Sequence, residues 1–173
     1  KDISEKMSKD IDEMEKMLND YLQFAKSQVQ EKTSKVNLFN LFNEIKKNFN
    51  NKNLFISNLE NTFLNGRSFA LKRCFENVIQ NGLTYGGNVY VDLQKGSNRL
   101  IVNIDDDGPG IPEDQYKNVF KPFFRLDKSR SLNQSGIGLG LAIVEDIVNS
   151  HGGNIQLGKS KYNGLQIKIY LPF

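Results

Sequence analysis

Two stretches in which apolar and polar residues alternate constrain the fold more than any other feature. They lie at 89–93 and 100–104 and are joined by the turn Lys95-Gly96-Ser97-Asn98. Alternation with period two is typical of half-buried strands, and a short glycine-containing turn between two such runs predicts an antiparallel hairpin. Similar runs close the chain at 154–156 and 165–171. Hairpin-linked strands kept apart from helices predict an α+β class, a two-layer sandwich whose mostly antiparallel sheet carries helices on one face.

The apolar residues at helical spacing predict helices over 38–49, 68–83 and about 138–150, with a shorter helix over 112–120. The longest ends at the segment Tyr85-Gly86-Gly87-Asn88, since glycine is typical of a helix terminus. A short strand is expected over 54–59, followed by a polar turn around Asn65-Gly66.

The N-terminal stretch has a different pattern. Its apolar residues recur in alternating steps of four and three, which is a heptad spacing: Met7, Ile11, Met14, Leu18, Tyr21 and Ala25. A coiled-coil-like helix with one narrow apolar stripe needs a partner helix, so we expect a homodimer or a neighbouring segment. The polar stretch 27–35 is interpreted as a linker, which divides the chain into 1–30 and a compact domain at 36–173.

Composition excludes several classes of protein. The chain has 173 residues and a net charge of +3, too balanced for an electrostatic nucleic-acid binder. It has no apolar run near the ~18 residues of a membrane span. A single cysteine, Cys74, and a single histidine, His151, exclude an internal disulfide framework and most metal clusters.

The first candidate site is a pair of asparagines, Asn77 and Asn81, in the longest predicted helix. A spacing of four places both amides on one helix face. By itself such a pair is more typical of a solvated face. The functional interpretation is that the amide oxygens bind Mg²⁺, a hard cation that prefers oxygen ligands and keeps nucleotide phosphates as partners.

The second is the run Asp105-Asp106-Asp107-Gly108-Pro109-Gly110-Ile111, directly after a predicted strand. It is either an acidic solvated turn or a place where glycines let a planar ligand approach a carboxylate. In the latter case one aspartate accepts a hydrogen bond from the exocyclic amine of adenine.

The third is a loop with glycine at every second residue, Gly136-Ile137-Gly138-Leu139-Gly140, which opens into a helix. Backbone amides at a helix N-terminus suit phosphate, although a tight packing turn would use the same glycines. The polar, basic stretch 125–134 before it is typical of a mobile lid.

Taken in order, these motifs and the intervening Phe120-Lys121-Pro122-Phe123-Phe124-Arg125 resemble the ATP-binding domain of sensor histidine kinases. This is the Bergerat fold, shared more distantly with gyrase, Hsp90 and MutL. The N-terminal helix is similar to the second helix of that family's dimerisation domain, nearest to the osmosensor (EnvZ-like) branch. The resemblance covers nearly the whole chain.

The resemblance implies a role for each matching position. Asp106 would bind the adenine amine with Gly108 and Gly110 at the pocket floor, and Asn81, helped by Asn77, would hold Mg²⁺. Catalysis would fall to Asn77 and Arg125, the latter meeting the phosphates. The remaining nucleotide contacts implied are Tyr85, Ile111, Phe120, Gly136, Ile137, Gly138, Leu139 and Gly140, with Phe123 anchoring the lid beside Phe120.

The same resemblance implies a transferase that uses ATP and Mg²⁺ to phosphorylate a histidine and then an aspartate of a response regulator. The expected partners are a second kinase chain, bound through the dimerisation helices, and a receiver domain. The chain would be the cytoplasmic portion of a bacterial inner-membrane sensor in a two-component system, with the membrane segments elsewhere. The alternatives are another ATPase or anti-sigma serine kinase of the superfamily, or a degenerate nucleotide-binding scaffold.

The chain departs from the family pattern in two respects. No acceptor histidine followed by an acidic residue is present, and His151 is expected to cap or pack a helix end, where a histidine favours the C-terminal dipole. Thr84 stands where relatives usually carry Lys or Arg near the phosphates, so one positive charge is missing and weaker nucleotide binding is expected. Lys121, Lys128 or Arg130 would be the compensating cations.

Overall fold

The computed structural model describes residues 31–50, 53–58, 62–126 and 138–173, and parts of the stretch 7–22. The chain divides into two units, Lys1–Glu31 and Lys32–Phe173. In the first unit the described residues between 7 and 22 are helical, and those of the predicted stripe are exposed: Met7, Ile11, Met14 and Leu18. The other two predicted members, Tyr21 and Ala25, lie outside the described residues.

The second unit contains every described strand. In chain order its elements are β1 (Ser34–Asn37), α1 (Leu38–Asn48), β2 (Leu54–Ser57), β3 (Phe63–Gly66), α2 (Ser68–Tyr85), β4 (Val89–Lys95), β5 (Arg99–Asp106), a 3₁₀ turn (Glu113–Gln115), α3 (Gly140–Ser150), β6 (Asn154–Lys159) and β7 (Leu165–Pro172).

The main sheet has five strands in the order β2-β4-β5-β7-β6. The predicted hairpin is confirmed: β4 and β5 pair antiparallel, with Val91 opposite Ile104. Strand β7 lies between β5 and β6 and pairs antiparallel with both. Only β2 is parallel to its neighbour β4, which it reaches through a connection containing α2.

The sheet alternation sends one set of side chains into the core. On β4, β5 and β7 every second residue is buried, including Val91, Val102 and Ile169 at 0–1% exposure. Helix α2 packs over β4 and β5, α3 packs over β6 and β7, and α1 packs against α2. The predicted two-layer α+β sandwich, with its helices on one face, is confirmed. We call the opposite side of the sheet its rear face.

Helix α2 follows its apolar spacing. Leu71, Phe75 and Ile79 are fully buried, and Phe75 contacts Phe42 of α1 with ring centroids 4.8 Å apart. Cys74 is also buried, and desolvation raises the pKa of its thiol. This cysteine is therefore a core residue, as its position in the helix pattern indicated.

Three sequence expectations were wrong. The polar turn expected at Asn65-Gly66 is the end of β3, which pairs with β1, a strand that the linker interpretation of 27–35 missed. The helix expected over 112–120 is only a 3₁₀ turn followed by further turns. The amides of Gln115, Tyr116 and Asn118 bond to carbonyls three residues back, and a bond four residues back forms only at Val119.

The Phe42–Phe75 contact yields a stability prediction. Phe75→Ala should lower the free energy of unfolding by about 3–5 kcal/mol, because a fully buried aromatic ring leaves a cavity. Urea denaturation followed by circular dichroism measures this change. The matched control is Phe69→Ala on the same helix, where the side chain is 77% exposed and a change within about 0.5 kcal/mol is expected. Equal effects of the two substitutions would contradict the assignment of this core.

Candidate functional site

Helices α2 and α3 run antiparallel, which places the end of one beside the start of the other. At one end, the backbone N–H of Arg67, just before α2, donates to Nε2 of His151 at the end of α3, at 3.0 Å. At the other end, Asn77 and Asn81 of α2 lie against Gly140, the first residue of α3. The predicted glycine loop and the predicted asparagine pair therefore meet.

The asparagine side chains face the helix start closely. A Cβ built on Gly140 would lie 3.5 Å from Asn77 Oδ1 and 3.4–3.7 Å from the amide atoms of Asn81. Asn77 Nδ2 donates to the carbonyl of Arg73 at 3.0 Å, which turns its Oδ1 away from its own helix backbone. Both amides are half-buried. Asn77 is therefore oriented by its own helix, and both side chains lie partly buried against the start of α3 and not on a fully solvated face.

Asp106 ends β5 and lies next to the same part of α2. Its Oδ1 accepts hydrogen bonds from the backbone N–H groups of Gly108 at 2.9 Å and Leu165 at 3.0 Å. Its side chain lies against Gly82, the residue after Asn81, where a Cβ would be 3.3 Å from that of Asp106. Burial raises the pKa of this carboxyl, and the neighbouring Asp107 and Asp105 add to the rise. The carboxylate is thus fixed but poorly solvated.

Asp107 points the other way and holds a turn. Its Oδ1 accepts from the backbone N–H groups of Gly87 at 2.6 Å and Asn88 at 2.8 Å, and its Oδ2 accepts from Asn88 Nδ2 at 2.7 Å. The Asn88 bonds first, and the Gly87 amide with them, lower the pKa of this carboxyl to about 2. Because the three aspartates diverge, their mutual repulsion is tolerated: Asp105 accepts from Gln166 on the rear face at 3.1 Å.

Gly164, at the turn between β6 and β7, is a residue of the site that was not predicted from the sequence. A Cβ on this buried glycine would overlap Asp106 Oδ1 and the Asp106 carbonyl oxygen, and would lie 2.6 Å from Gly108 N. Across the turn, the Gly164 carbonyl also lies against Gly110, whose φ is +71°. The dipeptide Asn163-Gly164 is a turn signal, but nothing local indicates that the turn contacts Asp106.

The predicted loop before α3 is closed at its described ends. The Phe123 N–H donates to the Gly138 carbonyl at 2.9 Å. Gly138 has φ +79° and no room for a Cβ, which would lie 2.7 Å from the Phe124 carbonyl. Phe123 itself has φ +64° with an exposed ring. The backbone therefore makes a tight contact where the two ends of the loop meet.

The remaining predicted residues are placed as follows. Tyr85 contributes its carbonyl next to Gly108 and leaves its ring 43% exposed. Ile111, Phe120 and Arg125 are half-buried, and Leu139 caps the start of α3. Gly136, Ile137, Lys128 and Arg130 lie outside the described residues.

The side chains of His151 and Thr84 have structural roles. His151 caps α3: its Nδ1 lies 2.7 Å from the Ile147 carbonyl, so both ring nitrogens have backbone partners. Thr84 donates to the Gln80 carbonyl at 2.7 Å and brings no positive charge to this end of α2.

Comparison with known proteins gives a consistent result. Residues 66–173 match the family described as histidine kinase-, DNA gyrase B-, and HSP90-like ATPases. The sensor histidine kinase GtrS of Pseudomonas aeruginosa is 32% identical over 98% of this chain, which spans 36% of that protein. The sensor histidine kinase CpxA of Escherichia coli is 36% identical over 63% of this chain, and the match spans 24% of its length.

Solved structures agree with this result. The histidine kinase domain of the Escherichia coli osmosensor EnvZ has a TM-score of 0.60 at 33% identity, covering 83% of this chain and 91% of that one. The mycobacterial sensor histidine kinase MprB has a TM-score of 0.69 at 27% identity, covering 82% and 97%.

The environment of Asp106 yields the second prediction. Because its pKa is raised in the folded protein, the ionised form costs stability above that pKa, and the cost disappears as the carboxyl protonates. Asp106→Asn keeps an oxygen that accepts both amides and removes the charge. It should raise the free energy of unfolding at pH 7. Thermal melts at pH 7 and pH 4 measure the gain, which should shrink at pH 4.

The control is Asp114→Asn in the exposed 3₁₀ turn, which should change little at either pH. A lower melting temperature for Asp106→Asn at pH 7 would show that the ionised carboxylate stabilises the fold.

Asp107 yields the third prediction, with the opposite sign. Its lowered pKa means that its ionised form stabilises the fold above the unfolded pKa, and that this stabilisation is lost as pH falls toward 2. Asp107→Asn should cost about 1–2 kcal/mol at pH 7, since hydrogen bonds to a charged group are lost. Urea unfolding at pH 7 and pH 3 tests this: a difference between variant and native chain that is as large at pH 3 as at pH 7 would contradict it.

Proposed function

This chain belongs to the family of histidine kinase-, DNA gyrase B- and HSP90-like ATPases, as the catalytic ATP-binding domain of a sensor histidine kinase, and we propose that it holds Mg–ATP between Asp106 and the asparagine pair. It spans about a third of the length of GtrS and a quarter of CpxA. The activity of the whole protein, its partners and its substrates are therefore part of the proposal.

One observation carries the proposal: the Asp106 carboxylate and the two asparagine amides lie beside the same part of α2. Asp106 contacts Gly82, and the adjacent residue Asn81 contacts the start of α3. A nucleotide with its base at Asp106 would direct its phosphates toward the N-terminus of α3, where backbone amides and the helix dipole favour negative charge.

Where the adenine base would lie, selectivity comes from a hydrogen-bond acceptor that is fixed in place, the carboxylate of Asp106. Asp106 Oδ1 is occupied by the amides of Gly108 and Leu165, so Oδ2 is the oxygen left for the exocyclic amine of adenine. Gly108 lacks a side chain between the Tyr85 carbonyl and the Asp106 carboxylate. A Cβ there would lie 3.0 Å from the Tyr85 carbonyl oxygen and 3.1 Å from Asp106 Oδ1. The glycine therefore lets the loop pack closely on the end of α2 and keeps in place the N–H that donates to Asp106 Oδ1.

At the phosphate end, the donor set fits Mg²⁺. Asn77 Oδ1 and Asn81 Oδ1 are neutral, hard oxygens. They lie 3.5 Å and 3.7 Å from the Cβ position of Gly140, with Asn81 Nδ2 at 3.4 Å. When bound, the cation would neutralise phosphate charge. Asn77 is held in register by its bond to the Arg73 carbonyl, and we assign Arg125 to the leaving phosphates. Gly136, Ile137, Gly138 and Leu139 are proposed to complete the phosphate loop.

The γ-phosphoryl acceptor is proposed to be a histidine of the longer protein, followed by an aspartate of a receiver domain. The described face of the N-terminal helix is exposed at Met7, Ile11, Met14 and Leu18. We assign this stripe to the dimer contact between two kinase chains. The kinase part of such a sensor is cytoplasmic, and its anchor lies in other segments. None of the described helices is long and apolar enough to cross a bilayer.

Calorimetry tests the binding proposal. The chain should bind ATP in the presence of Mg²⁺, and Asn81→Ala should weaken that binding at least about tenfold, since a metal ligand is lost. Gln80→Ala, an exposed neighbour on the same helix, is the matched control and should bind as the native chain does. Absence of heat in the native chain, or equal affinities of the two variants, would refute the site.

Incubation with γ-labelled ATP tests the acceptor. His151 should stay unlabelled because both of its ring nitrogens are held by backbone groups. Acid-labile label should appear instead on a separately supplied dimerisation domain that carries an acceptor histidine. Label that disappears in His151→Gln would overturn the capping role.

A further inference from the structure

We propose that Tyr162 and Tyr90 are positioning residues for the Asp106 carboxylate, acting from the rear face of the sheet through the turn that contains Gly164. This inference rests on the proposed function, because it assigns adenine selectivity to the same carboxylate. Tyr90 alternates with the buried residues Val89 and Val91 on β4, so its ring is on the rear face, where Tyr162 stacks on it.

The two rings form a stack behind the site. Tyr90 of β4 and Tyr162 of the β6–β7 turn have ring centroids 3.7 Å apart and ring planes inclined by 17°. Phe55 of β2 stacks on the other side of Tyr90 at 5.1 Å. The turn residue therefore reaches across the rear face to β4, although β5 lies between β4 and the β6–β7 hairpin.

Hydrogen bonds within the turn connect Tyr162 to Gly164. The Ser160 N–H donates to the Gly164 carbonyl at 2.9 Å, and the Asn163 N–H donates to the Ser160 carbonyl at 3.1 Å. The Ser160 hydroxyl accepts from the Tyr162 N–H at 3.1 Å. These bonds tie Tyr162 and Gly164 into one closed turn, so that fixing the ring fixes the glycine.

The other side of this turn contacts the carboxylate of Asp106, the group proposed to bind adenine. Gly164 packs so closely on Asp106 and Gly108 that no Cβ fits, and the next residue, Leu165, donates its N–H to Asp106 Oδ1. Tyr90 contributes from a second direction, because it lies opposite Asp105, the residue before Asp106 on β5. The stack therefore fixes the turn and the strand end that together aim the carboxylate.

The test compares ATP with its 6-deamino analogue, a purine nucleoside triphosphate with hydrogen in place of the exocyclic amine. The native chain should prefer ATP because only ATP has the amine that Asp106 accepts from. Tyr162→Ala should reduce that preference by up to about tenfold, the limit set by a lost aromatic pair. Tyr162→Phe should retain it, since the stack uses the ring.

The matched control is Tyr170→Ala. This tyrosine is on the same rear face, where its hydroxyl donates to Gln156 at 3.0 Å, but it is far along β7 from Gly164. Its removal should leave the preference unchanged. If Tyr162→Ala only lowers the general stability of the protein, its affinities for ATP and for the analogue fall by the same factor. The ratio of the two affinities then stays as in the native chain, and this result would overturn the inference.

A nucleotide-free measurement gives an independent readout. Amide hydrogen exchange at Leu165 should be faster in Tyr162→Ala than in Tyr170→Ala or the native chain, because the turn that presents this N–H is loosened. Unchanged exchange at Leu165 would overturn the inference while the native chain still bound ATP. A native chain that bound neither nucleotide would refute the proposed function and this inference together.

Discussion

The half-buried carboxylate of Asp106 is the constraint on which the arrangement of the site depends. It accepts hydrogen bonds from Gly108, in the loop after β5, and from Leu165, the first residue of β7. It also packs on Gly82 of α2, so three separate parts of the chain are fitted around one side chain. Burial raises its pKa, which means that the fold keeps a costly charge at a position where a ligand amine would compensate it.

The antiparallel pair of helices supplies the second half of the site. The Arg67–His151 hydrogen bond fixes one end of the pair, and the contact of Asn77 and Asn81 with Gly140 defines the other. Because both helices pack on the same sheet, the start of α3 is held beside the asparagines and close to the end of β5. The dipole of α3 and the neutral amide oxygens then favour phosphate and cation at one place.

The sequence predicted those features that have a local physical cause. Alternation fixes the β4–β5 hairpin, and the spacing of Leu71, Phe75 and Ile79 fixes the buried face of α2. The β1–β3 pairing was missed because each strand has only four residues and its partner is distant in the chain. The role of Gly164 was missed for a similar reason: the close approach that requires the glycine is made by Asp106, the last residue of β5, which is distant in the chain.

The prediction of function came from the resemblance of the motifs to sensor histidine kinases and not from the periodicity of the sequence. The family match over 66–173 confirms that prediction. The expected helix after Pro112 failed because three-residue hydrogen bonding replaced the helical pattern there. Turns of this kind are decided by the contacts around them, which a single sequence does not display.

The most direct test of the central claim is a nuclear magnetic resonance titration of the chain with a non-hydrolysable ATP analogue and Mg²⁺. The account predicts that the side-chain amides of Asn77 and Asn81 shift together with the backbone amides of Gly108 and Leu165, at the same ligand concentration. Shifts confined to one of these two groups, or to neither, would contradict a single cavity that holds base and cation.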